Sequence, residues 1–104
     1  MARLIWTEPA LRDLEAVAEY IALDNPEAAR MLVARVFASV ERLEQFPNSG
    51  KCPSELPRSR YREVVIPPCR VFYRVEGEAV YLLYVMRAER SLRRFLLEER
   101  NRTK

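Results

Sequence analysis

The chain has 104 residues, 49% of them hydrophobic and 32% charged, so one small domain, 1–104, is expected and a second is not. No apolar run reaches the roughly 18 residues that cross a bilayer, and the opening MARLIWTEPA lacks the apolar stretch of a secretory signal, so a cytoplasmic protein with no membrane partner is expected. The net charge of +3 is polarised: residues 1–50 carry five arginines against eight carboxylates, whereas residues 51–104 carry thirteen cations against seven glutamates. A basic half implies an anionic partner, nucleic acid or acidic protein, and sixteen of the eighteen cations are arginine, whose planar fork suits phosphate and carboxylate.

The segment ARLIW reads as a short strand. Thr7 is then placed to cap a helix with Pro9 in its first turn, and Ala10, Leu14, Val17 and Ile21, with Leu11 and Ala18 alongside, repeat at helical spacing over 8–23. The tripeptide Asp24-Asn25-Pro26 ends that helix and caps a second, whose stripe Ala29, Leu32, Val33, Val36, Val40 and Leu43 runs to about Phe46. Two amphipathic helices joined by a tight turn form a hairpin with a face to bury. PNSGKCPSELPRS holds three of the seven prolines and reads as a loop. Cys52 and Cys69, in a chain with no histidine, make neither a disulfide framework nor a zinc site, so no metal and no cofactor are expected.

YREVVI, CRVFYRV and EAVYLLYVM read as three consecutive antiparallel strands, with Pro67-Pro68 separating the first two and a tight turn at Glu76-Gly77 joining the last two. The tail from Arg87 has helical composition with Leu92, Phe95 and Leu96 as its apolar spine. Strand alternation puts Val71, Tyr73, Val75, Val80, Leu82 and Tyr84 on one face, under the helices. The other face then carries Arg70, Phe72, Arg74, Tyr81, Leu83 and Arg87. Such a mixture either stacks bases and holds phosphates, or is simply solvated, paired with Glu63 and Glu78 and half-covered by the tail. Alternation alone does not choose.

In order along the chain, WTEPALRDLEAVAEYIALDNPEAA, LEQFPNSGKCPSELPRSRYREVVIPPCRVFYRV and VYLLYVMRAER resemble the RelE/ParE superfamily of type II toxins. The resemblance implies an α+β fold: an N-terminal strand, a helical hairpin packed on a small antiparallel sheet, and a short C-terminal helix or tail. It also implies a cognate antitoxin from the same operon, in a hetero-oligomer, for which Leu92, Arg93, Phe95 and Leu96 are the candidate contacts.

RelE-like members cut messenger RNA in the 70S ribosome, and this chemistry needs cations around the phosphate and a group to move the 2′-hydroxyl proton. Arg70 matches the family arginine in P-P-x-R-V-x-Y. Ala88 stands where a second arginine belongs, and Arg94 stands where a catalytic tyrosine is expected. Arg70, Arg87, Glu89 and Arg90 are all that a nuclease site has to draw on. ParE-like members instead stabilise the cleaved complex of DNA gyrase by binding, and the D-N-P turn and F-P-x-x-G loop look closer to that branch. Gyrase is therefore the expected target, with Arg62, Arg70, Arg74, Arg87 and Arg90 as its candidate surface, and replacing Arg70 and Arg87 by alanine is expected to abolish toxicity with the fold intact. A small module that binds nucleic acid directly is the less specialised alternative.

Overall fold

The computed structural model describes Met1–Thr103, the side chains of Phe95 and Thr103 excepted. Its elements are β1 (Arg3–Trp6), α1 (Glu8–Ala22), α2 (Pro26–Glu41), a 3-10 turn (Arg42–Glu44), β2 (Tyr61–Ile66), β3 (Cys69–Glu76), β4 (Ala79–Arg87) and α3 (Arg94–Thr103). Both predicted helix caps form: the Thr7 hydroxyl accepts from the Ala10 N–H, and the Asn25 side chain accepts from the Ala28 N–H at 3.1 Å. The second helix gives way to the 3-10 turn five residues before the expected end at Phe46.

The sheet has the order β1-β4-β3-β2. β2, β3 and β4 are antiparallel neighbours, as the sequence predicts, but β1 runs parallel to β4 and makes the sheet mixed. The β3–β4 turn is Gly77-Glu78, one residue later than expected, and Gly77 adopts φ +60 there, which costs glycine nothing.

Two cores lie on opposite faces of this sheet. On the helix side, Ala10 and Leu14 of α1 and Leu32, Val36 and Val40 of α2 pack on Val64, Val71, Tyr73, Val80, Leu82 and Val85. Each large side chain buried so contributes about 1.5–3 kcal/mol. On the far side, Leu56 of the proline-rich loop and Leu92 and Leu97 of the tail close over Tyr61, Phe72, Leu83 and Met86. The face that alternation left open between binding and burial is thus roofed by the loop and the tail.

A β-bulge decides which side chain faces which core. Phe72 pairs with Tyr84 but Tyr73 pairs with Leu82, leaving Leu83 as an extra residue on β4. From there the alternation inverts: Val85 enters the helix-side core, and Tyr84 packs against the far cluster instead of under the helices. Arg87 follows the same inversion and stands opposite Cys69, on the helix side. Among the described residues no helix is long and apolar enough to cross a membrane.

Candidate functional site

Arg70 is the second residue of β3, and Glu63 sits diagonally across from it on β2, where it pairs with Phe72. Arg70 Nε donates to Glu63 Oε1 at 2.8 Å and Nη2 to Glu63 Oε2 at 3.1 Å. Glu55, delivered by the proline-rich loop, takes a second fork from Nη1 at 2.8 Å and Nη2 at 2.7 Å. The remaining Nη1 hydrogen goes to the Arg90 carbonyl at 3.0 Å. All five guanidinium N–H groups are therefore used, and the residue is only 8% exposed. Its Cζ lies 4.9 Å from the Phe72 ring centre. Glu55 Oε2 also accepts the Leu92 N–H at 3.0 Å, so the same carboxylate anchors the start of the tail.

The hydrogen bonds from Arg70 hold the Glu55 carboxyl down to about 2, and hydrogen bonds from Glu55 and then Glu63 push the Arg70 guanidinium above its ordinary value. A depressed folded pKa stabilises the fold above the ordinary carboxylate value and loses that contribution as the pH falls toward the folded value. We expect stability to fall by roughly 2–3 kcal/mol between pH 4.5 and pH 2 from Glu55. Denaturant titrations across that range check this, and a Glu55→Gln variant should show a shallower acid dependence.

The expected five-arginine surface is not contiguous. Arg70 is buried in the hub just described. Arg62 bonds the Gly50 carbonyl at 2.8 Å, and Arg74, on the other face, pairs with Glu76 at 3.1 Å. Arg87, opposite Cys69, lies five residues of β3 away from Arg74, about 17 Å along the strand. Arg87 and Arg90 do come together, in one cleft beside α1, where Arg87 Nε pairs with Glu89 at 2.7 Å. Of the expected antitoxin contacts, Leu92 is buried in the far core, Leu96 is half-buried and Arg93 is exposed, while the Phe95 side chain lies outside those described.

Other groups carry structure that the sequence reading did not assign. Asp13 of α1 accepts the Val85 N–H at 3.0 Å, beyond the last β1 pairing, and binds Arg100 of α3. Arg100 also donates to the carbonyl of the bulged Leu83 at 3.1 Å and lies 4.1 Å from the centre of the Tyr84 ring. Together the two residues satisfy edge groups of β4 that no strand covers. The F-P-x-x-G loop clamps a hydroxyl: Tyr73 Oη donates to Pro47 O at 2.8 Å and accepts from Gly50 N at 2.9 Å. Glycine at a loop's end is the only sequence trace of that clamp. Neither Glu55 nor Asp13 had a signal, since each acts on a residue far away in the chain. Both cysteines are free, and no group of His, Cys, Asp and Glu among the described residues fits a metal ion.

Away from these contacts, α1 and α2 leave a groove of about 700 Å³ between them on the outside of the hairpin. Leu11, Ala18, Ala29, Val33 and Phe37 line it, with Glu15 and Glu19 on one rim and Arg30 on the other. Leu11 and Phe37 are 41% and 38% exposed, a large apolar exposure for two neighbouring helix faces.

Comparison with known proteins matches residues 4–92 to the family described as "ParE toxin of type II toxin-antitoxin system, parDE". The chain is 35% identical over 89 residues to putative toxin Y4kP of Sinorhizobium fredii, covering 86% of this chain and 91% of that one. It is 33% identical over 91 residues to toxin RelE2 of Caulobacter vibrioides, covering 86% and 99%. Among solved structures it resembles the chromosomal ParDE toxin–antitoxin system from P. aeruginosa, with a TM-score of 0.71 and 32% identity over 86% of this chain and 98% of that one. The order of elements, the mixed sheet and these matches agree, and the chain belongs to the ParE toxin family of type II toxin–antitoxin systems.

Proposed function

We propose that this toxin works by binding DNA gyrase and stabilising its cleaved complex with DNA, without a catalytic set of its own. The observation that carries this reading is the saturation of Arg70, whose five N–H groups are taken by Glu55, Glu63 and the Arg90 carbonyl. A nuclease arginine needs donors free to meet a phosphate as charge builds in the transition state. Arg87 and Arg90, on the cleft beside α1, are the target-facing cations in this proposal. A second reading, ribosome-dependent cleavage of messenger RNA, draws on the identity to a relative named RelE2. Purified toxin in gyrase supercoiling and cleavage assays, run beside a ribosome-bound message, separates them. We expect gyrase-linked cleaved DNA to accumulate with the message intact, whereas cut message with normal supercoiling overturns the proposal.

The antitoxin's place in this proposal is the apolar groove of the helical hairpin, in line with the toxin–antitoxin character of the P. aeruginosa system. An amphipathic helix fits it, burying apolar residues against Leu11, Val33 and Phe37. The groove belongs to the acidic half of the chain, so its occupant presents cations toward Glu15 and Glu19 here, and any acidic residues meet the basic half elsewhere. Amide hydrogen exchange is expected to slow throughout α1 and α2 when antitoxin is added, and unchanged protection there removes the groove from consideration.

A further inference from the structure

The opposite flank of α1 has a different chemistry. Between its second half and the free end of β4 lies a cleft of about 310 Å³, floored by Ala16, Val17 and Met86 and walled by Tyr20, Tyr84, Arg87 and Arg90. A second hollow of about 190 Å³ shares Tyr20 and Arg87 and leads past Pro68 toward Asn25. Tyr20 is 64% exposed, an unusual setting for a large ring on a helix already packed on two sides. The Arg87 guanidinium sits 5.6 Å from the centre of that ring, over one face. Three carboxylates border the cleft and the hollow that joins it: Asp13, already neutralised by Arg100, Glu89, an exposed partner of Arg87, and Asp24, which lines the hollow shared with Arg87. Arg90 has no ion pair among the described residues.

We infer that this cleft binds an unpaired nucleotide of a nucleic-acid strand, its base stacked on Tyr20 and its phosphates held by Arg87 and Arg90. A flat aromatic platform beside two guanidiniums, over a small apolar floor, matches a base and its flanking phosphates in shape and charge. A cleft near 300 Å³ holds one such unit and not a folded peptide. An acidic protein segment would use the arginines but leave the tyrosine platform idle. The inference goes beyond the gyrase reading, since it concerns the ligand of one cleft and holds whichever macromolecule presents the strand.

The test is direct binding of fluorescent ten-residue oligothymidylate and oligouridylate to the purified toxin at several salt concentrations. Tyr20→Ala should weaken binding about tenfold with little change in salt dependence, because it removes stacking. The Arg87→Ala, Arg90→Ala double variant should lower the slope of log affinity against log salt by about 1.4, the loss of two phosphate contacts on a single strand. Glu89→Gln should tighten binding by about two- to fivefold, as a competing carboxylate is removed. The control is Arg58→Ala, Arg60→Ala on the proline-rich loop, which should leave the Tyr20 effect intact. Binding that is absent, unaffected by Tyr20→Ala, or equally lost in the loop variant overturns the inference. So does polyglutamate binding with the same dependence on Tyr20, which would assign the cleft to an acidic protein. Failure here with cleaved gyrase complexes still forming would leave the target reading standing.

Discussion

Replacing Arg70 by alanine is expected to lower the unfolding free energy by about 3–5 kcal/mol, because it strands a buried carboxylate. The Glu63 side chain is 2% exposed and has Arg70 as its counter-charge, and Glu55 loses the fork that holds the loop and the Leu92 N–H to the sheet. For a domain of this size such a loss is a large part of a total near 5–15 kcal/mol, so the variant is expected to be largely unfolded or loosened over the far core. Urea unfolding followed by circular dichroism measures it. Replacing both members of the buried pair, Arg70→Met with Glu63→Met, should recover part of the stability, since the fully buried carboxylate leaves with the cation and only the partly exposed Glu55 keeps an unpaired charge. An unchanged midpoint in Arg70→Ala would mean that the hub contributes little to the fold. On that expectation, lost toxicity in Arg70→Ala reports folding and not target contact, and the Arg70→Met, Glu63→Met variant separates the two. The double replacement of Arg70 and Arg87, expected from the sequence to spare the fold, is on this geometry expected to unfold it instead. Arg87→Ala with Arg90→Ala, at exposed positions, is the informative pair.

Gly50→Ala is expected to cost about 3 kcal/mol, combining overpacking with disruption of a buried hydrogen bond. A methyl group there would stand 2.5 Å from Tyr73 Oη, 2.7 Å from its ring and 2.8 Å from the Glu63 carbonyl. Two of those atoms belong to a fully buried tyrosine and one to the main chain of β2, so none moves cheaply. The effect reaches the hub, because Lys51 exchanges main-chain hydrogen bonds with Glu63, at 3.1 and 2.7 Å, beside the glycine. Tyr73→Phe removes the nearest clashing atom and should be less damaging in the Gly50→Ala background than in the wild type. Thermal melts of the four proteins give that coupling directly. Equal costs of Tyr73→Phe in both backgrounds would show that Tyr73 and Gly50 do not share the strain.

Much of the fold was legible locally. Thr7 and Asn25 cap helices because each offers a side-chain oxygen to N–H groups within the next three residues, and the stripes of α1 and α2 repeat at the helical period. Tyr73 as core, the prolines between β2 and β3, and the glycine turn after β3 follow from equally short-range rules. The candidate site was less legible. Alternation placed Arg70, Arg74 and Arg87 on one surface, and that held only up to the bulge at Leu83, after which every β4 side chain changed sides. Nothing in EAVYLLYVM marks the extra residue, whose carbonyl is satisfied by Arg100, seventeen positions later.

By itself, then, the sequence determined what neighbouring residues decide: the helical hairpin, the three antiparallel strands, the order of motifs that marks the family and the basic character of the second half. Only the tertiary structure decided that β1 pairs parallel with β4, that the loop and tail roof the far face of the sheet, and that Arg70 is spent on two glutamates while Arg87 and Arg90 line a cleft. Caps, turns and periodicity act over three or four residues, and composition reports them. An arginine's role depends on which carboxylates the chain's long-range pairings bring within 3 Å, and Glu55 reaches Arg70 from fifteen positions away across two elements.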